Sequence, residues 1–461
     1  MSQGEVRVLA LPQVSEAQKQ WAATAGTGVA ETSWFSDLST LFLVSVCPVA
    51  VFFFHYVYTV LGGNEMALVH EIWAGGDLRA GFAAVFSKVP PQTPRAWATI
   101  GVWAAYGMAS QLLVPGKEFR GPISPKGNVP VYKANGFQCY LLTLALFFGG
   151  WHQGWFNPAQ VVDDLGSIFT CLNISSLLFC VFLTLKGLYF PSSSDAGSSG
   201  SLIYDYYWGT ELYPRVGPLD IKVWTNCRFG MMGWAMLILC YAAKQLEATG
   251  TISDSMLVSV GLQQLYIAKF FLWEAGYWCT MDICHDRAGF YICWGCLVWV
   301  PSLYTSPAWY LVKNPVTLGP VLASMIFVAG AAMIYLNYDC DRQRKVFRAT
   351  NGQTPVWGQL PTFIEAYYTT AKGKTQKSLL LTSGWWAVAR HFHYAPEITA
   401  AFCWSVPALF ENVSAYLYVI FLTVLLVHRA YRDDERCRSK YGKYWEQYCE
   451  VVPYKILPFL I

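Results

Sequence analysis

Charge is what this sequence has least of. Asp, Glu, Lys and Arg make up 13% of its 461 residues, against about 25% in an ordinary soluble domain. That deficit excludes a conventional water-soluble globule, and a net charge of +3 gives no reason to expect nucleic acid as a partner. Glycine-rich phosphate loops are missing as well: neither G-x-G-x-x-G nor G-x-x-x-x-G-K-[ST] occurs, so a Rossmann or P-loop nucleotide site is not supported. The first 35 residues lack a basic stretch followed by an apolar one, so no cleaved signal peptide is expected. No internal repeat is visible, which removes the main sequence support for an inverted-repeat transporter. The single C-x-x-C, Cys293 to Cys296, has no second ligand pair of the kind a structural zinc needs. His391 and His393 are two ligands at most. No metal is expected, and the fourteen cysteines read mainly as buried thiols.

What the chain has instead is grease. Hydrophobic residues are 54% and aromatics 16%, and they come in runs at 38–63, 167–190, 317–336 and 414–427. These runs, the last with its upstream continuation, approach or exceed the roughly 20 residues that cross a bilayer. Further crossings are expected near 95–114, 136–156, 228–247, 255–278, 288–312 and 378–392. The expected fold is therefore all-α: a polytopic membrane protein of about ten transmembrane helices. A polar N-terminal tail (1–35) would precede one membrane domain (36–461), whose C-terminal part, 340–461, would form a pocket.

The charge that is present concentrates at the C-terminal end. "YRDDERCRSKYGKYWEQY" (431–448) follows the last apolar run and holds nine charged residues and five Tyr or Trp in eighteen. As a helix it would align Asp433, Cys437, Lys440/Tyr441, Tyr444/Trp445 and Tyr448 on one face. Arg429, Arg432 and Arg436 would form a neighbouring stripe. Arginine clasps phosphate in two-pronged fashion and aromatic planes suit a nucleotide ring, but a basic anchor on anionic lipid fits the same residues. Composition and spacing leave both readings open. The stretch from Cys340 to Lys377 is also basic and adds Arg344 and Arg348, one turn apart if helical. The positive-inside rule puts both segments in the cytoplasm.

Deeper in the chain, "LYIAKFFLWEAGYWCTMDICHDRAGFY" (265–291) carries ionisable groups within an apolar segment, where they are costly and tend to be functional. A continuous helix would set Tyr266, Phe270, Glu274 and Tyr277 on one face. A polar network that merely packs helices is the alternative reading of the same residues.

These motifs together resemble a known family. "LLVHRAYRDDERCRSKYGKYWEQY" is similar, position by position, to the C-terminal signature of the sterol reductases. "LIYDYYWGTELYPRVG" (202–217) resembles the other signature, with Tyr213 where many members have Asn. "LLLTSGWWAVARHFHY" (379–394) resembles a third block, with His393 in place of Asn, and "YDCDRQRKVFRATNG" has Arg344 in place of Lys. The resemblance covers nearly the whole chain after about residue 35 and points to the Δ7-reductase branch of plants and algae.

The family resemblance implies a multi-pass enzyme of the endoplasmic reticulum that uses NADPH to saturate a ring double bond of a sterol, embedded in membrane lipid and associating with other sterol-pathway enzymes. It implies a cofactor site of Arg344, Arg348, Leu381, Trp386, His393, Tyr394, Asp433, Cys437, Lys440, Tyr441 and Tyr448. The family's membrane-embedded tyrosine falls on Tyr266, the expected proton donor, with Glu274 or Asp433 as relay or orienting group. A ring diene is electron-rich, so protonation at C8 must accompany hydride delivery at C7. Rival readings are a Δ14-reductase, a non-catalytic sterol-binding scaffold, and a membrane methyltransferase with a related C-terminal region.

Overall fold

The computed structural model describes residues 34–460 apart from 75, 125 and 371–372. The expected polar tail thus lies outside the described residues up to position 33, and Trp34 and Phe35 already belong to the first helix, Trp34–Thr59. Of the described residues, 67% are helical. Among the described residues, six helices are long and apolar enough to cross a membrane: Trp34–Thr59, Leu165–Tyr189, Val223–Thr249, Asp254–Leu272, Pro320–Ala349 and Val413–Tyr441. Pro94–Leu113 and Gly136–His152 are helical as expected but fall outside that set.

Two of the expectations need correction. The fold is not purely helical, because three two-stranded antiparallel hairpins occur among the described residues. The proposed crossing at 378–392 does not exist. Its first residues form the strand Thr375–Leu381, paired with Phe363–Thr369, and the rest is a short turn of helix, Trp385–Val388, and a loop. The three leucines are buried in small protein cores, beside Tyr441 and Trp445 or beside Phe347 and Trp386. An apolar triplet inside a strand buries itself against protein, and periodicity alone cannot separate that from a membrane segment.

Two segments, Val223–Met231 and Phe290–Tyr304, wind as π-helix, a wide form that usually occurs as single turns at functional sites. They pack against each other. A Cβ on Gly230 would stand 2.6 Å from the Cys296 carbonyl oxygen, so glycine is required for that approach.

The helices that carry the site are fixed to one another at both ends. Ser253 caps Asp254–Leu272 by accepting from the Met256 N–H at 3.2 Å. The neighbouring Asp254 carboxylate accepts from the N–H groups of Leu318 and Gly319 at 2.9 and 2.7 Å, which pins the start of Pro320–Ala349 beside it. At the other end Lys269 Nζ donates to Asn337 Oδ1 at 2.6 Å. Ser259 Oγ donates to the Trp404 carbonyl at 2.7 Å, tying in the helix Tyr394–Ser405. Midway, a Cβ on Gly330 would meet Leu262 and Cys403 side chains at 2.6 to 3.0 Å, so the three helices close tightly.

Candidate active site

Between these helices, the second π-segment and the last long helix, Leu417–Tyr441, lies a cavity of about 870 Å³. Its two ends differ in chemistry. One is basic and aromatic, with Arg344, Arg348, Lys440, Trp386, Tyr441 and Tyr448 in its wall; the other is apolar, with Met231, Val300, Phe421, Leu422 and Leu426. Volume and lining suit a large ligand that is polar at one end only.

The basic end is assembled from three separate stretches. Arg344 and Arg348 leave the final turns of Pro320–Ala349, and the Arg344 guanidinium lies 4.1 Å over the Trp386 ring. Trp386 is held by its Nε1 donating to the Cys340 carbonyl at 2.9 Å. The guanidinium of Arg348, an exposed residue, makes no hydrogen bond or ion pair with the described residues. Lys440 Nζ lies 4.1 Å over Tyr368 and 5.0 Å over Tyr441. The hairpin that replaced the expected crossing supplies Leu381 and Tyr368 to the wall.

The charged C-terminal stretch is not one helix. It breaks at Gly442, with φ 54° and ψ −127°, and resumes as Lys443–Val451. The turn still carries Tyr448 to the wall that Cys437 and Tyr441 line, where the three bury together with Trp445. Asp433, one turn before Cys437, accepts from Arg436 at 2.5 and 3.0 Å and sits 3.5 Å from His391 Nε2. His391 stacks on Tyr394 with ring centroids 5.1 Å apart, and His393 lies 4.3 Å from Tyr394. Burial pushes His391 down to about 4 and His393 well below its ordinary value.

The arginine stripe is engaged with the protein rather than open to lipid. Arg429 clasps Asp282 at 2.5 and 3.1 Å, Arg432 reaches Asp286 at 2.6 Å, and Arg436 reaches His285 at 2.9 Å. The 281–286 segment and the last helix are zipped together by these contacts. Burial, then the nearby Arg436 and Lys440 charges, hold His285 well below its usual range.

Toward the apolar end stands Tyr266. Its ring centroid is 5.8 Å from Trp234 and 5.4 Å from Trp404. Its hydroxyl donates to Glu397 Oε1 at 2.5 Å.

Every expected site residue lines this cavity except Glu274. The helix carrying Tyr266 ends at Leu272, and Trp273 (φ −107°, ψ 23°) turns Glu274 away from the face it would have shared. Glu274 is 2% exposed and pairs with Arg228, while accepting from the Gly136 N–H at 2.9 Å. The carboxylate beside Tyr266 is Glu397, which sequence reasoning passed over. Its signal was there: a lone acidic residue opening the apolar stretch "APEITAAFCW".

Residues 71–461 match the family described as the "Ergosterol biosynthesis ERG4/ERG24 family". The chain belongs to that family. Among its members, "7-dehydrocholesterol reductase" of Arabidopsis thaliana is 58% identical over 421 residues, covering 91% of this chain and 96% of the relative. "7-dehydrocholesterol reductase" of Xenopus laevis is 35% identical, covering 93% of each. "Delta(14)-sterol reductase" of Methylotuvimicrobium alcaliphilum is 37% identical, covering 82% of this chain and 86% of the relative. The ERG4/ERG24 match thus spans the whole cavity lining, from Pro122 to Tyr448.

Proposed function

We propose that the protein is a sterol Δ7-reductase that uses NADPH to reduce the C7=C8 double bond of a Δ5,7-sterol. The observation that carries this reading is the continuity of one cavity from a basic, aromatic mouth to an apolar chamber containing the Tyr266 phenol. The 58% identity to the Arabidopsis 7-dehydrocholesterol reductase, against 37% to the Δ14-reductase, supports the choice of ring bond.

The residues present fit such a cofactor. Among the described residues the Arg348 guanidinium has no hydrogen bond or ion pair, and His393 Nδ1 and His391 Nε2 are buried without hydrogen-bond partners. These are donors or acceptors a polar ligand would satisfy. Arg344, Arg348 and Lys440 would hold its phosphates, and Trp386, His393, Tyr394, Tyr441 and Tyr448 its flat rings. Leu381, Cys437 and Asp433 would close the wall. When bound, NADPH supplies hydride. The chain's own part is to exclude water, orient the sterol and deliver a proton from the Tyr266 hydroxyl. The faces of Trp234 and Trp404, packed against Tyr266, offer negative quadrupole to the allylic cation that protonation creates.

Three further helical stretches, Pro94–Leu113, Gly136–His152 and Phe290–Lys313, would raise the six apolar spans to nine. The basic mouth would face the cytoplasm by the positive-inside rule, in the endoplasmic reticulum membrane. The test is product analysis by gas chromatography with NADPH and either 7-dehydrocholesterol or a Δ8,14-sterol. Saturation of C7=C8 alone supports the proposal; turnover of the Δ8,14-sterol alone, or of neither, overturns it.

A further inference from the structure

Among the described residues four carboxylates line the cavity: Asp282, Asp341, Asp433 and Glu397. Asp282 is paired with Arg429, Asp341 with Arg344, and Asp433 with Arg436. Glu397 has no cationic partner among the described residues; its hydrogen bond is the one from Tyr266 at 2.5 Å. Lys269 lies one turn along the same helix as Tyr266. Its Nζ sits 4.8 Å from the Tyr266 ring centroid, and it is held by Asn337, which itself donates to the His393 carbonyl at 3.0 Å.

We infer that Glu397 returns the proton to Tyr266 in each turnover, with Lys269 as the positioning cation that makes the phenol able to release it. The inference rests on the Δ7-reductase reading. A phenol is a weak acid, with an ordinary pKa of about 10, and a phenolate left in an apolar chamber is costly. A cation beside the ring favours the phenolate, which is what Lys269 contributes. In the productive state Glu397 carries a proton and donates it to the Tyr266 oxygen, freeing the phenolic O–H to point into the chamber. The Tyr266 O–H bond breaks as the C–H bond forms on the sterol. The Glu397 O–H bond then breaks and restores the phenol, and the carboxylate is reprotonated by water from the mouth. The other three carboxylates are each turned to an arginine and none is bonded to Tyr266, which leaves Glu397 as the partner for that proton. The titratable groups facing Glu397 are Tyr266 from its helix and Tyr418 from the last helix.

The test uses full-length protein in lipid nanodiscs with NADPH and 7-dehydrocholesterol. The rate is followed from pH 5 to 9 for wild type, Glu397→Gln, Glu397→Asp and Lys269→Met. Glu397→Gln is expected to lose about 10²-fold in kcat, with both KM values and thermal midpoint little changed, and to lose the decline of kcat at high pH. Glu397→Asp should recover part of the rate, and Lys269→Met should lower kcat and move its pH profile. A Glu397→Gln protein with wild-type kcat and pH profile overturns the inference and leaves the Δ7 reading intact. A wild-type protein that forms no product overturns both. If Glu397→Gln does not fold, wild-type pH profiles in both Glu397→Asp and Lys269→Met overturn the inference.

Discussion

Arg228 and Glu274 meet in a fully buried ion pair, with nitrogen–oxygen distances of 2.5 and 3.1 Å, and Asn135 accepts from the same guanidinium at 2.7 Å. Gly136 belongs to this arrangement too, because a Cβ there would collide with the Glu274 carboxyl. The pair joins the first π-segment to the end of the Tyr266 helix and lies outside the cavity lining.

Glu274→Ala therefore acts on stability rather than chemistry. It leaves Arg228 charged, buried and unpaired, which costs about 3–5 kcal/mol. A fall in thermal midpoint in detergent should accompany near-normal KM values in whatever folded protein remains. A variant as stable as wild type but with collapsed kcat would mean that Glu274 does chemistry after all.

The contrast between Glu274 and Glu397 marks what was legible in the sequence. Residues of the signatures at 379–394 and 428–448 come together in one cavity wall, because family motifs encode side chains that meet. Helical spacing, however, assumes a helix that continues. It failed at Trp273, where the chain turns and Glu274 swings off the shared face, and again at Gly442. The leucines at 379–381 read as membrane because apolar residues look alike whether protein or lipid covers them. The arginine stripe could not be assigned, because its partners Asp282 and Asp286 are almost 150 residues away in the chain. Pairings at that distance are a product of packing, which no local pattern records.

Arg348→Ala should weaken cofactor use selectively. Losing one charge-assisted hydrogen bond of about 1.5–3 kcal/mol corresponds to roughly 10- to 150-fold in affinity. The KM for NADPH should rise by that order while the KM for sterol stays within a few-fold. Equal increases in both would count against a phosphate-holding role for this residue.

Gly442→Ala tests the turn between the last two helices. The backbone there, at φ 54° and ψ −127°, is strained for any residue with a Cβ, at a cost of about 1–3 kcal/mol. Relief of that strain would move Trp445 and Tyr448 relative to Cys437, against the Trp445 bond to Asp434 at 3.1 Å, apolar packing, and the Arg390 bonds to the Val452 and Pro453 carbonyls at 2.6 and 3.0 Å. A lower thermal midpoint with a raised KM for NADPH is expected. Differential scanning fluorimetry with and without NADPH reads both, and an unshifted midpoint would show that the turn tolerates a side chain.

Acid sensitivity follows from the histidines of the mouth. Burial lowers His391 from its ordinary value near 6.5 to about 4, and it lowers His393 and His285 in the same direction. Between those limits the unfolded chain binds more protons than the folded one, so stability rises with pH. The folded state accordingly keeps its full stability above about pH 6.5 and loses it as pH falls toward 4. His391 alone accounts for about 3 kcal/mol of that loss at the acid end. His391→Asn should flatten the dependence of thermal midpoint on pH across the window from 6.5 to 4, measured against wild type in the same detergent. An unchanged slope would mean that His391 is already protonated in the folded protein, paired with Asp433 at 3.5 Å.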